Sequence, residues 1–262
     1  MASDFDLTQL PTRAPAGLHK RETLRELQRI REELIDWQTR LYAENRRSVL
    51  IVLQGMDASG KDGLIRTVFS GLNPQGVEVH SFKEPSKEEL AHDFLWRIHQ
   101  RTPPKGMIHV FNRSHYEDVL IGRVRALATE EELERRYRAI VDFERGLVER
   151  GIRVVKVMLH VGRDEQKARL GERLERPDKH WKYNPGDVDE RLLCDDYQAA
   201  YQLVLERTST GEAPWHVVPA DRKWFARLAV QQLLIEALED IDPQWPAADF
   251  DVEHEKERLA AS

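Results

Sequence analysis

Cysteine is almost absent from this 262-residue chain. Cys194 is the only one, so no internal disulfide can form, and one thiol without neighbouring Cys or His residues is a poor metal site. It reads as a small, partly buried apolar side chain. Long hydrophobic runs are missing too: nothing approaches the roughly 18 apolar residues of a membrane span. The segment Met1 to Leu10 carries Asp4 and Asp6 and no apolar run of signal length, so the expected setting is the cytoplasm, with no membrane partner. A surplus of positive charge is also lacking. Lys and Arg number 40 against 46 Asp and Glu, a formal net charge of −6, which argues against a chain that coats nucleic acid through overall charge. A local basic cleft remains compatible with it. No internal repeat or low-complexity block occurs. With 40% hydrophobic and 33% charged residues, the composition is that of a soluble globular protein of one or two domains.

What the chain does contain is an alternation of short apolar runs and helical patterns. Pro11, Pro15 and Gly17 mark an irregular entry. Lys20 to Asn45 then runs without Gly or Pro and places Leu24, Leu27, Ile30, Leu34, Trp37 and Leu41 at three- and four-residue steps, the pattern of an amphipathic helix. Standing before the first strand, it is expected to pack across the outside of the domain, against the core or a partner chain. Ser48 to Leu53 is apolar on both faces, as a central parallel strand requires. Val77 to Phe82, Met107 to Phe111, Val154 to Leu159 and Trp215 to Val218 are similar. Helical patterns separate them at Lys61 to Gly71, Lys87 to Arg101, Tyr116 to Leu127, Glu130 to Arg150, Arg163 to Glu175, Val188 to Thr208 and Asp221 to Leu238. Such an alternation implies an α/β fold with a parallel sheet of about five strands and right-handed crossovers.

Directly after the first strand stands Gly55-Met56-Asp57-Ala58-Ser59-Gly60-Lys61-Asp62. The spacing G-x-x-x-x-G-K fits a phosphate-binding loop, whose glycines let backbone N–H groups turn inward around a phosphate chain. The following helix adds its N-terminal dipole, and the lysine reaches the outer phosphates. The position after the lysine, commonly a Ser or Thr that ligates Mg²⁺, is Asp62 here, and a second carboxylate, Asp57, lies inside the loop. Two acids in a phosphate site repel the ligand unless a divalent cation lies between, so Mg²⁺ is implied, with Asp57 and Asp62 as candidate ligands. The alternative is that each acid only orders the loop by accepting backbone N–H bonds.

After the third strand the chain reads Phe111-Asn112-Arg113-Ser114-His115-Tyr116-Glu117-Asp118. Asn112 stands at the strand end, where an acid is common; the acids come a few residues later. Glu117 is a candidate to face the acceptor or the metal, and Asp118 reads as a helix N-terminal acid. Arg113 is suited to gripping a phosphoryl group bidentately. Arg123 and Arg125 follow on the same helix. His115 reads as packing or capping, because no second His lies at ligand spacing. Further on, Arg163 to Lys182 holds seven bases, with Arg169, Arg173 and Arg176 at i, i+4 and i+7 and Lys179 and Lys182 beyond the Pro177 break. This face either follows successive phosphates of a polyanion or, given five acids in the same segment, is a solvated salt-bridged surface.

Together these motifs resemble a known family. G-M-D-A-S-G-K-D at Gly55 to Asp62, F-N-R-S-H-Y-E-D-V at Phe111 to Val119 and R-P-D-K-H-W-K-Y-N-P-G-D at Arg176 to Asp187 look like the three signatures of the type 2 polyphosphate kinases, and the resemblance runs from about Lys20 to Leu238. It implies a thymidylate kinase-like P-loop fold with a helical lid, here one kinase domain over residues 1–262. That domain would include an N-terminal helical arm at 20–45, a lid at 163–187 and an acidic tail at 242–262. It implies transfer of a terminal phosphoryl group between inorganic polyphosphate and adenine nucleotides, with Mg²⁺ or Mn²⁺, in a dimer or tetramer. By matching position, Asp57 would hold metal and poise the transfer, Lys61 would bind phosphates, and Arg113 would bridge donor and acceptor. The binding set would comprise Gly55, Ala58, Ser59, Gly60 and Lys61, then Asn112, Arg113, Tyr116, Glu117 and Arg123, then Arg169, Arg173, Arg176, Lys179 and Lys182. Many members have D-R-S-W-Y-N-R at the second motif; Asn112 and Glu117 here resemble the subgroup that phosphorylates AMP as well as ADP.

Two other classes compete. An ATP-dependent nucleoside monophosphate kinase would use the same loop but fits the three signatures less well. A P-loop switch or binding module of the GTPase type lacks support, because no Asn-Lys-x-Asp guanine-reading segment occurs. Charge sorted by position favours a polyanion: Arg97 to Arg125 carries six bases against two acids, whereas the tail from Asp242 has six acids against two bases.

Overall fold

The structure is a computed structural model that describes residues 6–262; the first half of the segment tested above for a signal, residues 1–5, lies outside it. Five strands form one parallel sheet in the order β2-β3-β1-β4-β5: β1 (Ser48–Gln54), β2 (Val77–Ser81), β3 (Ile108–Asn112), β4 (Ile152–His160) and β5 (Trp215–Pro219). β1 is paired on both sides, with Val49 beside Ile108 and Arg153, so all seven of its residues are buried. Its side chains alternate between two cores. Val49, Ile51 and Leu53 pack with Leu27, Ile30 and Leu34 of α1 (Lys20–Glu44), Leu64 of α2 (Lys61–Val68) and Leu234 of α10 (Lys223–Ile241). Leu50 and Val52 face Val119 of α5 (Glu117–Val124), Ile140 of α6 (Glu130–Glu149) and Val204 of α9 (Cys194–Thr208).

The long first helix lies along α10 and buries Leu27, Ile30, Leu34 and Leu41. Core packing is therefore its role here, although Leu24 stays exposed and Trp37 half-buried. Two helical expectations are corrected. Lys87 to Arg101 is not one helix but α3 (Lys87–Leu90) and α4 (Trp96–His99): Ser86 and Glu89 close a capping box on the first, and Asp93 Oδ1 accepts from Leu95 N to turn the chain between them. Val188 to Thr208 is α8 (Gly186–Leu192) followed by α9, broken at Leu193, which leaves helical geometry at φ −92°, ψ 18°. α7 (Arg163–Glu175) matches its expected bounds. The acidic tail leaves α10 along the surface. Arg47 donates to the Ile241 and Asp242 carbonyls, and Asp251 caps the exposed α11 (Val252–Ala260). Cys194 is buried, as its apolar reading implied. No helix among the described residues is long and apolar enough to cross a membrane.

Candidate active site

The phosphate loop leaves β1 at Gly55, whose φ of +148° suits glycine; a Cβ there would meet the Leu159 carbonyl oxygen at 2.7 Å. Gly60 (φ +110°) then caps α2, and Ala58 and Arg113 hold left-handed φ of 60° and 63°. Non-glycine residues in this region concentrate where the surroundings over-determine the backbone. The Lys61 ammonium folds across its own loop, donating to Gly55 O at 2.5 Å and, more weakly, to Met56 O at 3.3 Å. Burial lowers its pKa, with Asp57 opposing the shift.

Above the loop, Arg113 donates to Asp57 Oδ1 at 2.8 Å, and its Nη1 lies 4.0 Å from Glu117. Although burial disfavours its charge, Glu117 and Asp57 leave the Arg113 pKa raised. Glu117 is itself deep: burial raises its pKa against the pull of Arg113 and Lys61. With its amide turned to match its neighbours, Gln54 donates to Glu117 Oε1 at 3.0 Å and accepts from Ser114. Asn112 donates to Asp62 Oδ1 at 2.9 Å, which ties the end of β3 to the first turn of α2.

A raised carboxylate pKa has a definite sign in stability. Ionising Glu117 costs the folded chain more than the unfolded one, so its contribution becomes less favourable as pH rises from about 4.5 through the raised value. Glu117→Gln removes that dependence. The stability of the variant relative to wild type is expected to improve from about pH 5 to about pH 8 in denaturant unfolding; a flat difference would show that the carboxyl is not desolvated.

Two clefts meet at this centre. The larger, about 660 Å³, is lined by the loop from Asp57 to Gly63 and by Lys83, Arg113, Arg173, Lys179, Lys182, Lys223 and Arg227, among others. The second, about 410 Å³, lies on the other side of Asp57 and Arg113 and is lined by Met56, Glu117, Arg125, Glu190, Tyr197 and Tyr201, among others. Asp57, Arg113, Asn184 and Asp187 belong to both. Burial and the Asp57 charge raise the Asp187 pKa, whereas burial and nearby Arg169 lower that of Lys223, as a crowded cationic wall requires.

The structure thus gathers most of the expected residues but not all. Asp57, Ala58, Ser59, Gly60, Lys61, Asp62, Asn112, Arg113, Arg169, Arg173, Lys179 and Lys182 line the larger cleft, while Gly55 and Glu117 line the smaller. Tyr116 lines neither: it is fully buried below the sheet end, and its hydroxyl donates to Glu144 at 2.7 Å. His115 packs beside it, 3.3 Å from the same carboxylate. Arg123 turns to Glu130, with both Nη atoms donating, and its neighbour Arg125 lines the smaller cleft instead. Arg176 pairs with Asp178 and Glu172 at the surface. Arg169 is only 6% exposed and braces the loop, donating to the Ala58, Ser59, Ala220 and Asp221 carbonyls. The i, i+4, i+7 spacing misled because α7 ends at Glu175: Arg176 is its extended C-cap, at φ −105° and ψ 113°, and leaves the helix face that Arg169 and Arg173 share.

Sequence reasoning missed Lys83, Lys223, Arg227 and Asp187. Lys83 follows the C-terminal end of β2, the sheet edge where α/β folds place ligands, and that position was a usable signal. Lys223 and Arg227 come from the first turns of α10, whose approach to the loop depends on the order of strands.

A parallel sheet whose first strand feeds a G-x-x-x-x-G-K loop, under a cleft walled by cations, defines a P-loop kinase. The chain belongs to the polyphosphate kinase 2 (PPK2) family, whose model matches residues 17–246. It is 48% identical over 227 residues to the AMP/ADP-polyphosphate phosphotransferase of Meiothermus ruber, an alignment spanning 87% of this chain and 85% of that one. It is 44% identical over 254 residues to the ADP-polyphosphate phosphotransferase of Rhodopseudomonas palustris, with 92% and 88% covered. The crystal structure of polyphosphate kinase 2 from Arthrobacter aurescens TC1 superposes with a TM-score of 0.97 at 47% identity, covering 100% of this chain and 95% of that one.

Proposed function

We propose that this chain transfers the terminal phosphoryl group of inorganic polyphosphate to AMP and ADP, giving ADP and ATP. The observation that carries this reading is the pair of clefts joined at Asp57 and Arg113. The larger, with its cations from Lys83 to Arg227, suits an extended polyanion; the smaller, with Tyr197 and Tyr201, suits a nucleotide whose phosphate points at Arg113. A nucleotide phosphate oxygen is already ionised at neutral pH, so the reaction calls for alignment and charge neutralisation more than for a base. Arg113 bridges the two phosphates, Lys61 swings from its loop carbonyls to the transferred group, and the loop N–H groups receive the charge that develops.

The same reading includes Mg²⁺ or Mn²⁺. The loop fits such an ion: Asp57 and Asp62 each commit Oδ1 to a neighbour, and their Oδ2 atoms are hard donors of the kind that share an ion with phosphate oxygens and water. When bound, the ion would neutralise charge between the two phosphate chains. Segment 163–187 acts as the lid of one kinase domain over residues 1–262. The enzyme works in the cytoplasm as a dimer or tetramer, away from nucleic acid and membranes.

Purified protein given AMP or ADP with long-chain polyphosphate and no ATP is expected to form ADP and ATP. Turnover only with a nucleoside triphosphate donor would favour the ATP-dependent kinase instead. Glu117 sits where the smaller cleft meets Arg113, so Glu117→Asn is expected to change the ratio of AMP to ADP turnover. An unchanged ratio would remove it from acceptor selection.

A further inference from the structure

We propose that Glu78, His80 and His109 form a binding site for a transition-metal dication of the zinc class, separate from both phosphate clefts. Parallel register sets Glu78 beside His109, and strand alternation brings His80, two residues on, to the same face of β2. One ligand atom from each residue lies within 4.8 Å of the other two.

Protons decide what this cluster wants. His109 Nδ1 lies 2.8 Å from the Arg101 carbonyl oxygen, which can only accept, so this nitrogen carries a proton. His109 Nε2 is buried and has no hydrogen-bond partner, on a side chain only 4% exposed. His80 Nε2 lies 3.2 Å from the same Nδ1. A proton on it would be driven against the one already there, so toward His109 the His80 Nε2 can only accept. The Glu78 carboxylate faces both rings, Oε1 at 3.6 Å from His80 Nε2 and Oε2 at 3.6 Å from His109 Nε2.

The carboxylate and the two ring nitrogens it faces thus share one small space. A separation of 3.6 Å is long for a hydrogen bond. It is close to the spacing of roughly 3.4 Å between ligand atoms of a tetrahedral ion with bonds of about 2.0–2.1 Å. Two imidazoles and a carboxylate suit zinc-class ions rather than Mg²⁺, and the bond from His109 Nδ1 to a backbone carbonyl is the outer contact that orients a metal-binding histidine. Glu78, half exposed at 52%, supplies an entry path and leaves a fourth position to water. The bound ion would clamp edge strand β2 to β3.

The test uses the full chain, stripped with a chelator and titrated with Zn²⁺ by calorimetry in excess Mg²⁺, and with Co²⁺ by visible absorption. One Zn²⁺ per chain, tetrahedral Co²⁺ bands and a raised melting temperature are expected. Glu78→Gln, at an exposed side chain, and His80→Gln should each weaken Zn²⁺ binding at least tenfold, while Asp57→Asn retains it. Substoichiometric binding, equal affinity in the Glu78 and His80 variants, or loss of binding in Asp57→Asn would overturn the proposal. So would uptake of a proton only, seen as a histidine titration that Zn²⁺ does not displace. His109→Gln is not relied on, because that ring is buried.

Discussion

Lys61→Ala is expected to lower phosphoryl transfer by roughly 10²–10³-fold, the range seen when one preorganised charge or donor is removed from a transition state. The position of the ammonium explains the size. It is buried at the head of α2, and its own loop carbonyls hold it within reach of any phosphate the loop cradles. No other cation of the cleft comes from the loop itself: Lys83, Arg173 and Lys223 approach from other elements and cannot replace it without moving backbone. The fold should survive, because what is lost is a buried charge whose desolvation already works against it. Steady-state turnover of AMP and ADP with polyphosphate, alongside circular dichroism and thermal unfolding, checks both halves. Near-normal turnover in a folded variant would take the loop out of the mechanism.

The largest effect on stability is expected away from the site, at Lys156. This side chain on β4 is fully buried and donates to Glu144 Oε2 and to the Thr208 carbonyl, each at 2.6 Å. Tyr116 donates to the other carboxylate oxygen. Burial alone would raise the Glu144 pKa, but Lys156 and His115 hold it lowered, so the carboxylate is ionised. Lys156→Met strands that charge in the core and should cost about 3–5 kcal/mol. The double variant Lys156→Met with Glu144→Leu should recover most of the loss, because the pair mainly offsets its own desolvation. The penalty of the single variant should also shrink toward acid pH, where Glu144 without its ammonium takes up a proton. Denaturant midpoints for the three proteins across pH measure this, and an unchanged midpoint in Lys156→Met would show that the pair carries no such weight.

That network also shows where sequence reading stops. Tyr116 lies between two second-motif residues that do line the clefts, and nothing in the order Ser-His-Tyr-Glu says which side chains turn inward. Arg113 takes a left-handed φ that reverses the chain, after which Glu117 faces the cleft while His115 and Tyr116 drop into the core onto Glu144. Arg123 and Arg125 exchange roles for a similar reason. Glu130, seven residues beyond Arg123, captures it, and Arg125 is left to meet Glu190 at the mouth of the smaller cleft.

By itself the sequence determined the elements that depend on local chemistry. Apolar runs such as Val49 to Leu53 specify central strands because no exposed face would tolerate them. The glycines at 55 and 60 specify the loop because their backbone angles suit no other residue. The ordered signatures specify the family. Tertiary structure alone decided which charges meet. Whether Arg169 braces a loop or grips a ligand, and how Lys83, Lys223 and Asp187 come to share a cleft with Lys61, depends on strand order and helix docking. An ion pair or a cleft is set by distances of a few ångströms across the fold, and the spacing of residues along the chain does not encode those distances.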